Sequence, residues 1–335
     1  MKAYELHPKE GFDALTLVEK PQPPLGEFDV RVRVRATALN YRDLVMVKGA
    51  HKRKSPVIPV SDGAGEVIEA GPKVTRHKLG DRVAAAFFPT WVDGELSDAH
   101  HALSLGSGQN GMLAQQVVLH ESAWVRVPAH LSYEEAATLP CAGVTAYNAL
   151  FEAVHLRAGD TVLVQGTGGV SIFGLQLAKA AGARVVLTSS SAEKRERALA
   201  MGADHVIDYK ADLKWGDSAR IWTQGRGVDI AIDVGGPGTF DQSVASLRYG
   251  GTMSILGVLT GTKGEVNTYG VFHKALRIAG IYVGSVTMFE SFARAVDATK
   301  LKPIVDRTFS FDEAKLAYAY LASGAHFGKV VITVD

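Results

Sequence analysis

The clearest hydrophobic pattern in the first third of the chain is a strict alternation from Asp29 to Leu39. In this segment, DVRVRVRATAL, three valines and an alanine fall on one face and three arginines on the other. A period of two is typical of a strand in an antiparallel sheet that exposes one face. Glycine-containing turns follow repeatedly up to Gly80-Asp81, so residues 1 to about 120 are predicted to be rich in β-structure.

After Ser132 the pattern changes to strands that alternate with helices. Serine three positions before glutamate predicts capping boxes at Ser132–Glu135 and Ser190–Glu193. Strand–helix alternation with short glycine-containing connections predicts an α/β fold, a doubly wound parallel sheet with helices on both faces. The predicted strands are 161–166, 183–189, 203–207, 228–232 and 252–256, and the predicted helices include 170–181, 194–201, 212–223 and 239–248.

The last segment of the chain is predicted to return to the first domain. Ser310–Glu313 predicts a third capping box, before a helix that ends at Gly324, and KVVITV (329–334) predicts a closing strand. The predicted organisation is a discontinuous β-rich domain, residues 1–125 and 265–335. A nucleotide-binding domain, residues 126–264, is inserted into it.

Composition restricts the kinds of partner. The 335 residues include 36 basic and 35 acidic ones, a net charge of +1 that gives no general attraction to nucleic acid or to an anionic membrane. Cys141 is the single cysteine, which excludes an intrachain disulfide and a four-cysteine zinc site. Because no apolar run has the length of a signal peptide or a membrane span, we expect a cytoplasmic protein that acts on a small molecule.

A glycine motif joins the first strand of the predicted parallel sheet to its helix. Gly166 permits a tight turn, and Gly168 lets the backbone amides that lead into Gly169 and Val170 approach a pyrophosphate. Ser171 stands where the dinucleotide-binding pattern has its third glycine. The structural alternative is an ordinary strand–helix turn.

The end of the second strand bears on the choice of cofactor. NAD-dependent enzymes place Asp or Glu there to bind the ribose hydroxyls, whereas this chain has Ser189 and Ser190, followed by Lys194. Hydroxyl donors and a lysine favour a 2′-phosphate, so NADP(H) is predicted over NAD. The alternative is that the serines only cap the helix and the lysine is solvated.

Eight motifs along the chain carry a family resemblance: RVRVRATALNYRD, PVSDGAGEV, GDRVAA, LPCAGVTAYNAL, VQGTGGVS, MGADHVIDY, DVGG and HFGKVVI. Together they resemble the medium-chain dehydrogenase/reductase superfamily, specifically its zinc-free quinone-oxidoreductase branch, over essentially the whole chain. The resemblance implies a GroES-like catalytic domain around a Rossmann domain, a cleft between them, and a homodimer.

The chain departs from the zinc-dependent members at their metal ligands. Those enzymes use two cysteines and a histidine, and the positions that match are Asn40, Ser61 and Cys141. Amide and hydroxyl oxygens are poor zinc ligands, so no metal is expected.

The resemblance also implies cofactor contacts in both domains. For Gly235, Gly257 and Gly284 the structural alternative is a turn at a strand end. The implied contacts are Asn40 and Thr145 near the nicotinamide and its ribose; Gly168, Gly169 and Val170 at the pyrophosphate; Ser190, Lys194 and Tyr209 at the adenosine phosphate; Val234, Gly235, Leu256, Gly257, Val283, Gly284 and Ser285 along the adenine and nicotinamide pocket; and Gly328 and Lys329 from the last segment.

Without zinc there is no Lewis acid to polarise an alcohol or an aldehyde. The expected reaction is therefore hydride transfer from NADPH to an acceptor that is already activated, a quinone or an α,β-unsaturated carbonyl. Two alternatives stay open. One is reduction of an enoyl thioester of coenzyme A, whose phosphates would meet the basic run 51–54, and the other is an NADPH-binding structural or sensory protein with little turnover.

Three residues are candidates for the chemical step. Asn40 is expected to orient the cofactor and the substrate. Tyr41 and His51 are candidate proton donors, and the structural alternatives are a packed aromatic for Tyr41 and a surface loop residue for His51. We expect neither donor to be essential, because a hydroquinone anion takes its proton readily from water.

Overall fold

The computed structural model describes residues 1–49, 52 and 54–334. Its contacts divide the chain into two compact units, which we call unit 1 (Met1–Val144 and Val283–Asp335) and unit 2 (Thr145–Tyr282). The chain thus leaves the first unit, forms the second and returns. The functional domain boundaries after residues 125 and 264 stay a prediction.

Unit 1 combines antiparallel strands with short helices. Its strands are β1 (Lys2–Leu6), β2 (Leu15–Glu19), β3 (Asp29–Leu39), β4 (Asp62–Ala70), β5 (Arg82–Ala85), β6 (Gln116–His120), β7 (Trp124–Arg126), β14 (Val305–Phe309) and β15 (Lys329–Thr333). Its helices are α1 (Tyr41–Lys48), α2 (Asp98–Ala102), α3 (Tyr133–Ala137), α10 (Val286–Thr299) and α11 (Ala314–Ser323).

Unit 2 alternates strands and helices. Its strands are β8 (Thr161–Gln165), β9 (Arg184–Thr188), β10 (His205–Ile207), β11 (Val228–Asp233), β12 (Leu247–Ile255) and β13 (Arg277–Gly280). Its helices are α5 (Gly169–Ala180), α6 (Ala192–Ala200), α7 (Trp215–Trp222), α8 (Pro237–Ser246) and α9 (Tyr269–His273), preceded by α4 (Val144–Tyr147).

The alternating segment forms a long central strand of unit 1. β3 lies in a sheet of order β14-β15-β3-β4-β5-β7, and it also pairs with β6. The prediction that all three arginines are exposed is wrong for Arg31, which is 7% exposed. Its Nε donates to Glu69 Oε2 at 2.7 Å, because β3 and β4 pair Arg31 with Glu69 directly. The register of the β3–β4 pairing shifts between Arg31 and Val32, where β4 has an extra residue, and between Val34 and Ala36, where β3 has one.

Unit 2 has the predicted parallel sheet. The strand order is β10-β9-β8-β11-β12-β13, and every pair is parallel. The chain runs outward from β8 through β9 to β10 and then returns to the other side of β8. The order therefore reverses between β8 and β11, the kind of position where open α/β sheets bind ligands.

Two of the three predicted capping boxes are confirmed. Ser132 with Glu135 caps α3, and Ser310 with Glu313 caps the turn that leads into α11. The box predicted at Ser190–Glu193 is wrong, because Ser191 caps α6 and its Oγ accepts from the backbone N of Lys194 at 3.3 Å. The pattern was displaced by one residue within a run of three serines.

Among the described residues, no helix combines the length and the apolar character needed to cross a bilayer.

Candidate functional site

The turn after β8 is open towards a ligand. Gly166 has φ +72°, a left-handed conformation that glycine adopts without strain. A Cβ placed on Gly168 would have no atom within 4 Å, so nothing covers the backbone at the start of α5. The first N–H groups of a helix carry partial positive charge and are suited to an anion. The turn from Gly166 to Val170 therefore fits a dinucleotide pyrophosphate.

Ser171 and Gly174 explain how this turn tolerates the missing third glycine. Ser171 is buried, and its Oγ donates to Gln165 O at 2.6 Å across the turn. A Cβ on Gly174 would lie 3.0 Å from Ile232 Cδ1, so it is Gly174 that lets α5 pack closely on the sheet.

Most of the predicted cofactor residues of unit 2 lie at one edge of its sheet. Parallel strands present their carboxyl ends together, so residues that follow β8, β9, β10, β11 and β12 are brought to a common edge. The residues placed there are Gly166, Gly168, Gly169 and Val170 after β8; Ser189, Ser190 and Lys194 after β9; Tyr209 after β10; Val234 and Gly235 after β11; and Leu256 and Gly257 after β12. Thr145 lies on α4 and is 5% exposed.

Two of these glycines have a structural explanation. A Cβ on Gly235 would lie 2.3 Å from Thr239 Oγ1, and a Cβ on Gly257 would lie 2.3 Å from Val234 O. Side chains at both positions are excluded by neighbouring atoms of unit 2. Their presence is therefore accounted for by packing, without a cofactor.

Sequence reasoning missed a buried carboxylate, Asp233, that holds this edge in place. Asp233 is 1% exposed, and its Oδ1 accepts from the backbone N of Gly235 at 3.0 Å and of Gly236 at 2.8 Å. Its Oδ2 accepts from Gln165 Nε2 at 3.0 Å and from Ser243 Oγ at 2.6 Å. Asp233 thus ties the ends of β8 and β11 together. The available signal was an acidic residue at the end of an otherwise apolar strand, before two glycines.

The residues after β9 are arranged around Arg195. Its Nη1 donates to Ser189 O at 2.7 Å and to Asp208 Oδ2 at 2.9 Å. Arg195 is therefore paired with a carboxylate. Lys194, the residue that the sequence analysis assigns to the 2′-phosphate, is half-buried.

In unit 1, the end of β3 leads into a cluster of buried polar residues. Asn40 is the N-cap of α1, and its backbone N donates to Asp43 Oδ2 at 2.8 Å. Antiparallel pairing of β15 with β3 sets Val330 opposite Leu39, which brings Lys329 beside Asn40. Lys329 Nζ donates to Leu39 O at 2.7 Å and to Asn40 Oδ1 at 2.5 Å. The resemblance implied that Lys329 contacts the cofactor, but its side chain is directed to Asn40.

Asp62 closes the cluster from the other side of β3. It lies opposite Ala38 at the start of β4 and is fully buried. Asp62 Oδ1 accepts from Ser61 Oγ at 2.7 Å, and its Oδ2 accepts from the backbone N of Cys141 at 3.1 Å. Lys329 Nζ lies 3.9 Å from Asp62 Oδ2. Burial raises the pKa of Asp62, against the lowering effect of Lys329.

Asn40, Ser61 and Cys141, the three positions that the family resemblance matches to zinc ligands, do not fit a zinc ion. Burial raises the pKa of the Cys141 thiol far above its usual range, and the Asp62 carboxylate adds to the rise, so the thiol stays neutral. Lys329, a cation, already contacts Asn40. Residues 1–49, 52 and 54–334 contain no group of three or more His, Cys, Asp and Glu that could hold a metal.

Of the two candidate proton donors, Tyr41 lies within the described residues and His51 does not. Tyr41 is the first residue of α1 and is 45% exposed, so it is not the packed core aromatic of the structural alternative. His51 lies outside the described residues, and its role stays a prediction.

Two valines have a left-handed backbone: Val60, next to a position matched to a zinc ligand, and Val283, itself a predicted cofactor contact. Val60 has φ +70° and precedes Ser61, and Val283 has φ +56° and precedes Gly284. For a β-branched residue this conformation is strained, at a cost of about 1–3 kcal/mol, and such residues concentrate at functional sites.

The remaining predicted residues of unit 1 have structural roles in the fold. Ser285 caps α10, and its Oγ accepts from the backbone N of Met288 at 3.2 Å. A Cβ on Gly284 would lie 2.7 Å from Val144 Cγ1, and one on Gly328 would lie 2.5 Å from Ile304 O. Packing accounts for both glycines.

Two family models match the chain. The alcohol dehydrogenase GroES-like domain matches residues 26–129, and the zinc-binding dehydrogenase family matches residues 169–300. A zinc-type alcohol dehydrogenase-like protein of Schizosaccharomyces pombe is 42% identical over 99% of each chain. An acryloyl-coenzyme A reductase of Metallosphaera sedula is 32% identical over 97% of each chain.

Solved structures share the fold over the whole chain. A putative alcohol dehydrogenase from Sinorhizobium meliloti has a TM-score of 0.91 at 42% identity and covers 96% of this chain and 95% of its own. A mycobacterial protein in complex with NADPH has a TM-score of 0.83 at 27% identity, with full coverage of both chains. A quinone oxidoreductase of Coxiella burnetii has a TM-score of 0.80 at 26% identity, and covers 100% of this chain and 99% of its own.

A GroES-like unit and a Rossmann-type unit with an open glycine turn define an oxidoreductase that uses a nicotinamide cofactor. The chain belongs to the medium-chain dehydrogenase/reductase superfamily.

The buried cluster predicts a pH effect on stability. Burial raises the pKa of Asp43 to about 6, from an ordinary value of 3.8, although Arg42 lowers it. Because the folded pKa is the higher one, the contribution of Asp43 to stability is complete below pH ~4 and is lost as the pH rises through 6. Asp43→Asn cannot ionise but can still accept from Asn40 N. Its free energy of unfolding relative to wild type should therefore increase by about 2 kcal/mol between pH 4 and pH 7.

Chemical denaturation at several pH values measures this difference. Asp13→Asn, at a side chain that is 96% exposed, is the control and should show none of it. Parallel curves for Asp43→Asn and wild type would contradict the predicted burial of a protonated Asp43.

Proposed function

We propose that this protein is a zinc-independent reductase that uses NADPH to reduce a quinone or an α,β-unsaturated carbonyl compound. The observation that carries the proposal is the set of contacts at Asn40, Ser61 and Cys141, the three positions that the family resemblance matches to zinc ligands. Asn40 contacts Lys329, and Ser61 and Cys141 both donate to Asp62. An acceptor that is already electrophilic needs no Lewis acid. The NADPH complex and the quinone oxidoreductase among its structural relatives support the same assignment.

The residues of unit 2 have defined roles in this proposal. NADPH, when bound, supplies the hydride. The amides from Gly166 to Val170 bind its pyrophosphate, and Ser190 and Lys194 bind the 2′-phosphate. Asp233 acts indirectly, since it fixes the backbone at Gly235 and Gly236.

In unit 1, Asn40 orients the substrate. Its amide is fixed by Lys329, and its backbone is fixed by Asp43. Tyr41, exposed at the start of α1, is available as a proton donor but is not required, because water can protonate a hydroquinone anion.

A panel of acceptors tests the proposed reaction. Purified protein should oxidise NADPH with 1,4-benzoquinone and with an enone such as methyl vinyl ketone, and much more slowly with an aldehyde. It should contain no stoichiometric zinc, and a chelator should leave turnover unchanged. One tightly bound zinc per chain, with activity lost on its removal, would overturn the proposal.

The choice of cofactor has its own test. Lys194→Ala removes a charge-assisted contact to the 2′-phosphate, so NADPH should bind about ten- to a hundredfold more weakly while NADH binding hardly changes. Lys179→Ala is the matched control, since Lys179 pairs with Asp204, which lies before β10 and therefore away from the carboxyl ends of the strands. Fluorescence titration measures both affinities. Equal losses for NADPH and NADH would show that Lys194 does not contact the phosphate.

A second candidate function is the reduction of an enoyl thioester of coenzyme A. One observation favours it: a cavity of about 420 Å³ beside α1, lined by Val45, Met46, Gly49, Lys52, Lys54 and Ser55. Apolar side chains next to two exposed ammonium groups suit a carrier that ends in phosphates. The acryloyl-coenzyme A reductase among the relatives acts on a substrate of this class, by its name.

Two lysines distinguish this candidate from the first. The double substitution Lys52→Ala with Lys54→Ala should raise the KM for crotonyl-coenzyme A by about tenfold. Each substitution removes an exposed ammonium group that would contact a phosphate of coenzyme A. The N-acetylcysteamine thioester lacks the phosphates, so its KM should not change. Lys315→Ala, at a side chain that is 49% exposed, is the control. An unchanged KM for crotonyl-coenzyme A would remove the observation that favours this second function.

A further inference from the structure

The buried ammonium group of Lys329 has a function beyond that of a structural ion pair. We propose that Lys329 is a positioning residue that supplies a positive charge to the active site. It orients the Asn40 amide and stabilises the negative charge that forms on the substrate oxygen. This inference rests on the proposed reduction of an activated carbonyl compound or a quinone.

The contacts of Lys329 differ from those of a simple salt bridge. Lys329 is 3% exposed, yet its Nζ lies 3.9 Å from Asp62 Oδ2, beyond hydrogen-bond distance. Its two short contacts are to uncharged oxygens, those of Leu39 and of the Asn40 side chain. Asp62 accepts from Ser61 Oγ and from the backbone N of Cys141, and the Asn40 side chain also lowers its pKa. The charge of Lys329 is therefore only partly neutralised.

This geometry fixes which way the Asn40 amide points. An ammonium group can only donate, so Asn40 must turn Oδ1 towards Lys329 and Nδ2 away from it. Nδ2 is buried, and although it makes no hydrogen bond of full geometry in the described part of the chain, the Asn40 side chain helps to lower the pKa of Asp62. The Asn40 amide is thereby held between the ammonium group of Lys329 and the carboxylate of Asp62.

The proposed step balances in atoms and electrons. Two electrons and one hydrogen pass from NADPH, which is oxidised, to the acceptor, which is reduced. In an enone a new C–H bond forms at the β-carbon, the C=C π bond breaks, and its electron pair moves through the conjugated system to the carbonyl oxygen. The resulting enolate, or the hydroquinone anion from a quinone, then takes a proton from water. A fixed cation near that oxygen stabilises the anion without any metal.

A double substitution separates this function from a structural one. Lys329→Met alone leaves the Asp62 carboxylate buried without its cation, so the protein should be less stable. Lys329→Met with Asp62→Asn removes both charges and should recover the unfolding temperature. Lys329→Arg keeps the positive charge. Lys179→Met with Asp204→Asn removes a Lys–Asp pair in unit 2 and is the matched control.

The kinetics of these variants decide whether Lys329 acts in catalysis or only neutralises Asp62. We expect the folded double variant to bind NADPH like wild type and to lose about a hundredfold in kcat with 1,4-benzoquinone, because a charge that acts on the oxyanion has been removed. Lys329→Arg should recover part of this loss, and the unit 2 control should lose nothing. Recovery of kcat to within about threefold of wild type in the double variant would show that Lys329 only neutralises Asp62, and would overturn the inference.

A binding measurement tests the charge without turnover. The phenolate form of 4-nitrophenol resembles a hydroquinone anion. It is detected by its visible absorbance. With NADP⁺ present, wild-type protein should lower the pKa of bound 4-nitrophenol by about one unit relative to the double variant. Equal pKa values in the two proteins, or no binding to wild type, would overturn the inference. If wild type reduces neither a quinone nor an enone, the proposed function fails, and this measurement still tests Lys329.

Discussion

The pairing of β3 with β4 on one side and β15 on the other is the constraint on which the polar cluster depends. Val330 lies opposite Leu39 and Asp62 lies opposite Ala38, so the last residues of β3 set the positions of Lys329 and Asp62 together. A shift of one residue in either pairing would turn the affected side chains to the other face of the sheet. Asn40 follows directly and begins α1, so the cluster is a consequence of strand register.

The sequence predicted the elements more completely than it predicted their contacts. The strand from Asp29 to Leu39, the parallel sheet and the caps at Ser132 and Ser310 follow from local patterns of spacing and residue type. The cap at Ser190 failed because adjacent serines satisfy the same pattern, and only the backbone decides which of them accepts from N3. Arg31 failed because its burial depends on a glutamate 38 positions away.

The candidate site shows the same limit. Glycines at the ends of β8, β11 and β12 are visible in the sequence, and the topology of a parallel sheet explains why they come together. The roles of Asp233 and Lys329 could not be predicted from spacing, since each depends on atoms from distant segments: Gln165 and Ser243 for Asp233, and Leu39 and Asn40 for Lys329. Tertiary contacts decide what a buried charged residue does.

The distance along the chain between Asn40 and Lys329, 289 residues, has a consequence for how the molecule is made. Unit 2 is one uninterrupted segment, so its sheet can assemble as soon as that segment has left the ribosome. Unit 1 cannot close β3 against β15 until residue 329 has been synthesised, and until then the end of β3 from Ala36 to Leu39 lacks its partner on that edge. The polar cluster therefore cannot form before the whole of unit 2 has been synthesised. Until β15 has been synthesised, the strands available to pair with β3 are β4 and β6.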